Sequence, residues 1–493
     1  MNFLGVDIGT GGSRAVLIDE RGGVVGTASI AHAAVASPHI GWAEQEPQDW
    51  SRASSAAIRV VIETARVRPG SIAAVGFSGQ MHGSVFLDEA DEVIRPALLW
   101  CDQRTEKQCI DITERIGSER LSELVSNPAI TGFTLPKLLW LRVAEPENWK
   151  QIRSILLPKD YVRLRLSGDK ASDVNDASGT LLFDVRNRKW SSEMLDALEL
   201  DPKQLPRVYE SIEVTGAVSK SGAESTGLLE GTPVIAGAGD NAAGAVGMGV
   251  VNPATVGVTI GTSGVVLVVT EKPMRDPAGR VHTLCHAVPD RWLMTGVTLS
   301  AGESLKWFRD KFGGGKSFAD LDSEAASVDS GSEGAVWLPY LMGERSPHLD
   351  PNARAAFVGL TANQTTAHLA RAVMEGVAFS LRDCLEIFRG LGAPIDTIRL
   401  GGGGAKSPLW RQIQADVYRR TVERTTVDEG AAFGAALLAG VGAGAWRSVD
   451  DACTQAIKIA DRVEPDPDSA DILDQNFETY LNLYPALKSA FGT

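Results

Sequence analysis

Apolar residues in this chain come in short runs, punctuated by glycine-rich turns and followed by stretches of helical spacing. Residues 3–18 (FLGVDIGTGGSRAVLI) read as an apolar strand, a glycine-rich turn and a second strand rich in β-branched residues. Residues 256–269 (VGVTIGTSGVVLVV) repeat the plan around an Ile-Gly-Thr-x-Gly turn, about 250 residues further on. Each hairpin presents backbone N–H groups and a threonine hydroxyl at its tip. Two copies at this separation predict two related domains, each opening with such a hairpin.

Between and beyond the hairpins, strand and helix patterns alternate. Residues 71–80 read as a strand ending in a loop, and residues 85–100 as strand, polar turn, strand. Residues 137–152 have helical spacing interrupted by Pro146, and residues 232–251 give a short strand, a glycine-rich turn and a small-residue helix. Strand, loop and helix recur at 293–312 and again at 397–420, with a long amphipathic helix over 368–392 between them. This alternation predicts an α/β fold in which ligands sit between domains. Residues 441–493, with several Asp, Pro and Glu ahead of an aromatic-bearing helix, read as a surface connection and a closing helix.

Composition acts mainly by exclusion. A chain of 493 residues with 44% hydrophobic content can give each of two or three domains its own core. The net charge of −14 argues against a sequence-independent hold on nucleic acid or on an anionic membrane surface. An anionic nucleotide is still admissible, because backbone N–H groups and helix N-termini bind phosphate without net basic charge. Five scattered cysteines without metal-ligand spacing read as free thiols of a reducing compartment. His282, Cys285 and His286 lie close in sequence, but a structural zinc site needs a fourth ligand. The first apolar stretch lacks a basic leader, and no apolar run reaches the ~18 residues of a membrane span. The expectation is a soluble, cytoplasmic protein.

Three loops carry candidate chemistry. In Asp7-Ile8-Gly9-Thr10-Gly11-Gly12, glycines let the backbone approach a phosphate, and N–H groups plus the Thr10 hydroxyl can donate to it. An Asp at the strand end can hold Mg²⁺ through water; a plain glycine turn with a local Asp bond is the bland alternative. Gly237-Ala238-Gly239-Asp240-Asn241-Ala242-Ala243-Gly244 sets Asp240 at the start of a helix, whose N-terminal end favours an ionised carboxylate able to accept a proton. A mere helix cap would not require the surrounding glycine and alanine residues. Gly401-Gly402-Gly403-Gly404 follows a strand and strips side chains from a surface, as a purine or ribose needs, unless it is only a flexible loop.

With these loops in this order and spacing, the chain resembles the FGGY family of carbohydrate kinases from end to end. Residues 355–375 fit one signature of that family, and residues 134–141 fit the other except near its end, where Val143 replaces a polar residue. The resemblance implies two related actin/hexokinase-like (ribonuclease H-like) domains with a cleft between them. Residues 1–245 would form the sugar side, 250–440 the nucleotide side and 441–493 a C-terminal extension. It implies ATP and Mg²⁺ as cofactors. Thr10, Gly11, Gly261, Thr262, Gly302, Lys306, Gly403 and Gly404 would hold the nucleotide, and Asp7 and Asp240 the metal. Gln80, Met81, His82, Asp240 and Asn241 would hold the sugar, with Asp240 as catalytic base. The Ser78–Gly83 loop is similar to that of members acting on D-xylulose, whereas glycerol kinases carry an Arg-Glu pair at positions 81 and 82. The expected reaction is phosphorylation at O5 of D-xylulose, possible partners being a small sugar, ATP and a second copy in a homodimer, without nucleic acid or membrane. Kinases for ribulose, gluconate, erythritol or glycerol are the near alternatives. A non-catalytic nucleotide-binding protein of the actin or Hsp70 sort is the distant one.

Overall fold

The computed structural model describes residues 1–492. Its first sheet contains β1 (Asn2–Ile8), β2 (Gly12–Asp19), β3 (Val24–Ala31), β4 (Ile72–Gly79), β5 (Val214–Ala217) and β6 (Pro233–Ile235). They lie in the order β5–β6–β4–β1–β2–β3, and Ala238–Gly239 add a short strand alongside β4. The second sheet contains β7 (Thr255–Ile260), β8 (Gly264–Thr270), β9 (His282–Cys285), β10 (Trp292–Thr298), β11 (Thr397–Gly402), β12 (Val422–Thr425) and β13 (Ile459–Val463). Its order is β9–β10–β8–β7–β11–β12–β13.

The repeat read in the sequence is now visible as topology. The hairpin β1–β2 is antiparallel and β1 pairs parallel with β4; likewise β7–β8 is antiparallel and β7 pairs parallel with β11. Parallel neighbours require helical crossovers. The helix Pro47–Ala65 serves between β3 and β4, its buried Trp50, Ala53, Ala57, Ile58 and Val61 recurring at helical spacing. The sheets differ at one edge: β5 precedes β6 in the chain, whereas β13 follows β12.

The helix Gly430–Gly442 crosses between the halves. A Cβ added at Gly5 of β1 would stand 1.9 Å from the Ala432 carbonyl oxygen, and one at Gly76 of β4 2.3 Å from that of Ala435. One at Gly434 would stand 1.8 Å from the Ala243 oxygen, in the helix Asp240–Gly247. Backbones therefore touch where side chains are missing, and this helix lies on the first sheet although its residues fall inside the span expected to form the second domain. One apolar cluster accordingly joins Phe3, Val16 and Ile18 to Leu267, Val269 and Leu293 through these two helices.

The C-terminal segment is also more integrated than a surface connection. Its strand β13 closes the edge of the second sheet beside β12. The helix Pro467–Leu487 buries Leu473, Phe477 and Tyr480 in the second lobe's core. Among the described residues, no helix is long and apolar enough to cross a membrane.

Candidate active site

The register of the first sheet assembles its acidic centre. Asp7 pairs with Ser78 across β1 and β4, and Ser78 with Ala238, so Asp7 and Asp240 emerge from neighbouring strand ends. The Ser78 hydroxyl donates to Asp7 Oδ1 at 3.0 Å. Asp240 is the first residue of its helix, and Asn241 N–H donates to its Oδ1 at 2.8 Å. Both residues are half-buried at the floor of the cleft. Desolvation raises the Asp7 carboxyl, while Ser78 and Arg14 oppose the shift. Desolvation and the charge of Asp7 push Asp240 up to about 7. The expectation that the helix end would keep Asp240 ionised is thereby corrected: burial and a like charge outweigh the helix terminus.

A cavity of about 190 Å³ opens at Asp240. Met81, His82, Trp100, Phe133, Asp240 and Asn241 line it from the first lobe. The second lobe supplies Ser263, Val265, His282, Leu284, Thr295, Val297 and Arg345. The sugar side expected of residues 1–245 is thus only half of the cavity, because β8, β9 and β10 form the facing wall. Gln80 does not line it. Its Oε1 accepts from the Thr10 hydroxyl at 3.1 Å, and that same hydroxyl accepts from Trp100 Nε1 at 3.0 Å. Gln80 braces the first hairpin instead of facing the cavity. With its hydroxyl engaged on both sides, Thr10 is left to offer a phosphate its backbone N–H, next to the exposed Gly11.

His82 has a left-handed backbone, φ +67°. Its Nδ1 lies 2.8 Å from the Gly179 carbonyl, which can only accept, so Nδ1 carries the proton and Nε2 is an acceptor. Burial pushes the imidazole down to about 3, so it is neutral. The His82 carbonyl accepts from Thr134 Oγ1 at 3.1 Å and Lys137 Nζ at 2.8 Å. Lys137 also donates to Gly132 O at 2.8 Å, and burial pushes its ammonium down to about 7. The helix Thr134–Ala144 therefore clamps the His82 loop, a role that the sequence signature marked but did not reveal.

A second pocket, of about 600 Å³, lies on the other lobe. Gly261, Thr262, Gly302, Lys306, Gly403 and Gly404 all line it, as the sequence led one to expect. The Gly302 N–H donates to Gly261 O at 2.8 Å, and a Cβ at Gly302 would stand 2.3 Å from that oxygen, so this close approach of hairpin and helix needs glycine at position 302. Leu305, Phe318, Pro408 and Trp410 supply apolar wall suited to a purine. Phe318 and Asp322 were missed because no motif marks them. A groove of about 620 Å³ on the first lobe holds neither carboxylate and none of these residues.

The zinc alternative does not survive the geometry. Cys285 Sγ turns to the Val185 carbonyl and His286 Nε2 to that of Val250, while His282 faces the cavity at Asp240.

A carboxylate able to take a hydroxyl proton, in a small cavity between the lobes, together with a nucleotide-sized pocket on the second lobe, is the equipment of a small-molecule phosphotransferase. Residues 2–247 match the N-terminal domain of the FGGY family of carbohydrate kinases, and residues 256–443 match its C-terminal domain. The chain belongs to that family. It is 39% identical to a xylulose kinase of Escherichia coli over 486 residues, 98% of this chain and 99% of that one. It is 37% identical to a xylulose kinase of Bacillus subtilis over 485 residues, 98% and 97% of the two chains. The crystal structure of a xyloylose kinase from Brucella ovis superposes with a TM-score of 0.92 at 36% identity, covering 99% of this chain and all (100%) of that one.

Proposed function

We propose that this protein is an ATP-dependent xylulose kinase, converting D-xylulose to D-xylulose 5-phosphate. The observation that carries the reading is Asp240, lining a sugar-sized cavity between the lobes on the strand end next to that of Asp7, with a nucleotide-sized pocket on the second lobe. ATP lies along the second hairpin and the Gly403–Gly404 turn, its purine against Phe318, Pro408 and Trp410. Two neighbouring carboxylates, of which the charge of Asp7 bears on Asp240, form an all-oxygen donor set suited to a hard divalent cation. Asp7 and Asp240 would hold Mg²⁺, which supplies charge neutralisation on the transferring phosphate.

Asp240 accepts the proton of the attacking 5-hydroxyl as the O–P bond forms. His82 Nε2 accepts from a sugar hydroxyl, and Met81, Trp100 and Phe133 keep water from the reacting atoms. A coupled ADP-release assay across D-xylulose, ribulose, glycerol and gluconate tests the reading. D-Xylulose is expected to give the highest kcat/KM. A lower rank than any of the others overturns the substrate, and no turnover on any of them overturns the kinase.

A further inference from the structure

The cavity wall contributed by the second lobe holds polar groups that the protein itself leaves unsatisfied. His282 and Thr295 are opposite one another on β9 and β10, and both line the cavity. His282 Nδ1 and Thr295 Oγ1 are buried without a hydrogen-bond partner. Arg345 joins them. Its neighbour Ser346 donates its N–H to Val297 O at 2.9 Å and accepts from Val297 N at 3.1 Å, which pins Arg345 against the same strand.

The half-buried guanidinium of Arg345 has no hydrogen-bond or ion-pair partner among the described residues. The one carboxylate whose charge bears on it, Glu344, spends Oε1 on the N–H groups of Leu299 and Arg345. With none of its five donors claimed by the protein, the guanidinium is free to meet an acceptor oxygen of a ligand in the cavity that it lines. Arg345 stands on the second lobe's wall, held along β10 through Ser346, whereas Asp240 stands on the first lobe's wall.

The acceptor's own chemistry supplies the partner. A 2-pentulose can close a furanose ring only through O5. If O5 is the attacking hydroxyl, the bound sugar is open-chain and its C2 carbonyl is a free ketone, three bonds along the chain from C5. That oxygen accepts hydrogen bonds and donates none.

We propose that Arg345, with Thr295 and His282 beside it, holds the C2 ketone oxygen of the open-chain acceptor and so selects 2-ketoses over the polyols that differ from them only at that carbon. The inference rests on the xylulose kinase reading. Arg345 is a specificity residue under it, on the wall opposite the one that carries Asp240.

The test compares wild type, Arg345→Gln and Arg345→Lys on D-xylulose. Xylitol and D-arabinitol, the two products of reducing its ketone, serve as competitors whose affinities are measured whether or not they turn over. Arg345→Gln is expected to raise the KM for D-xylulose by about 10- to 100-fold, the worth of a hydrogen bond to a charged group. Its kcat and its affinity for both polyols should change by less than about threefold, the pattern of lost uniform binding confined to one group, and Arg345→Lys should recover part of the loss. An Arg345→Gln protein that melts like wild type but keeps the ketose-to-polyol ratio overturns the inference, as does an equal loss on all three ligands. Should that variant not fold, Thr295→Val reads the same ratio with the hydroxyl removed and the shape kept. Wild type inactive on D-xylulose overturns the substrate reading and this inference together. Wild type active, with an unchanged ratio in the variants, overturns this inference alone.

Discussion

At the scale of single residues, Asp240 combines two liabilities that chemistry can use. It is desolvated, and it faces Asp7. Asp240→Asn keeps the shape and the Asn241 hydrogen bond but cannot take a proton. Its kcat should fall about 10²- to 10⁴-fold with little change in sugar KM, whereas a helix-capping role alone would leave it nearly active. Asp7→Asn should instead weaken the response to Mg²⁺ and ATP. The same burial has a cost in the metal-free protein. The unfolded chain releases this proton near the ordinary carboxylate value and the native protein near pH 7, so between these the native state holds a proton that the unfolded state has lost. Stability therefore falls as pH rises through the window. In EDTA, Asp240→Asn should raise the melting free energy by about 2–4 kcal/mol at pH 8 and by almost nothing at pH 4. Equal gains at both pH values would show that charge is not the cause. Sequence alone singled out Met81, His82, Asp240 and Asn241, which the structure gathers around one cavity, and six residues that it gathers around the other, most of them in glycine-bearing turns at the ends of strands. Gln80, expected on the sugar, does not line the cavity, since which way a side chain turns just past the end of a strand depends on neighbours 35 and 70 positions away.

At the scale of elements, the helix Thr134–Ala144 holds the His82 loop through a backbone carbonyl. His82 holds a left-handed conformation that a non-glycine residue adopts at some cost, and two donors from that helix keep it there. Gly179 completes the seat: a Cβ there would stand 2.5 Å from the His82 ring. Lys137→Met removes a donor to the His82 carbonyl and should loosen the loop, raising sugar KM by about tenfold, while the KM for ATP stays within about twofold. Steady-state kinetics on both substrates checks this, and a matching rise for ATP would mean general damage. The signature was legible as a pattern, but its purpose was not, because the contact spans 55 residues. The glycine and alanine residues around Asp240 were misread in a related way. Ala243 and Gly247 serve the close approach of the helix Gly430–Gly442, not the ligand.

At the scale of the whole molecule, the pseudo-repeat was legible because it recurs as a motif, while the exchange of one helix between halves left no local trace. The shared cluster predicts that the lobes unfold together, so calorimetry should show one transition, not two. Gly434→Val would force the two crossing helices apart and should destabilise both lobes at once, by about 3 kcal/mol or more. Two separate transitions in the wild type would contradict the coupling. The crossing helix also sets a timetable. Strands β1 and β4 leave the ribosome early, yet the face that Gly5 and Gly76 keep bare is covered only when residues 430–442 arrive. At about 5–20 residues per second, the first lobe waits on the order of tens of seconds with an apolar sheet face open. A nascent chain of this protein is thus a client for holding chaperones until synthesis is nearly over, and a message truncated anywhere before that helix yields a polypeptide that cannot finish even its first half.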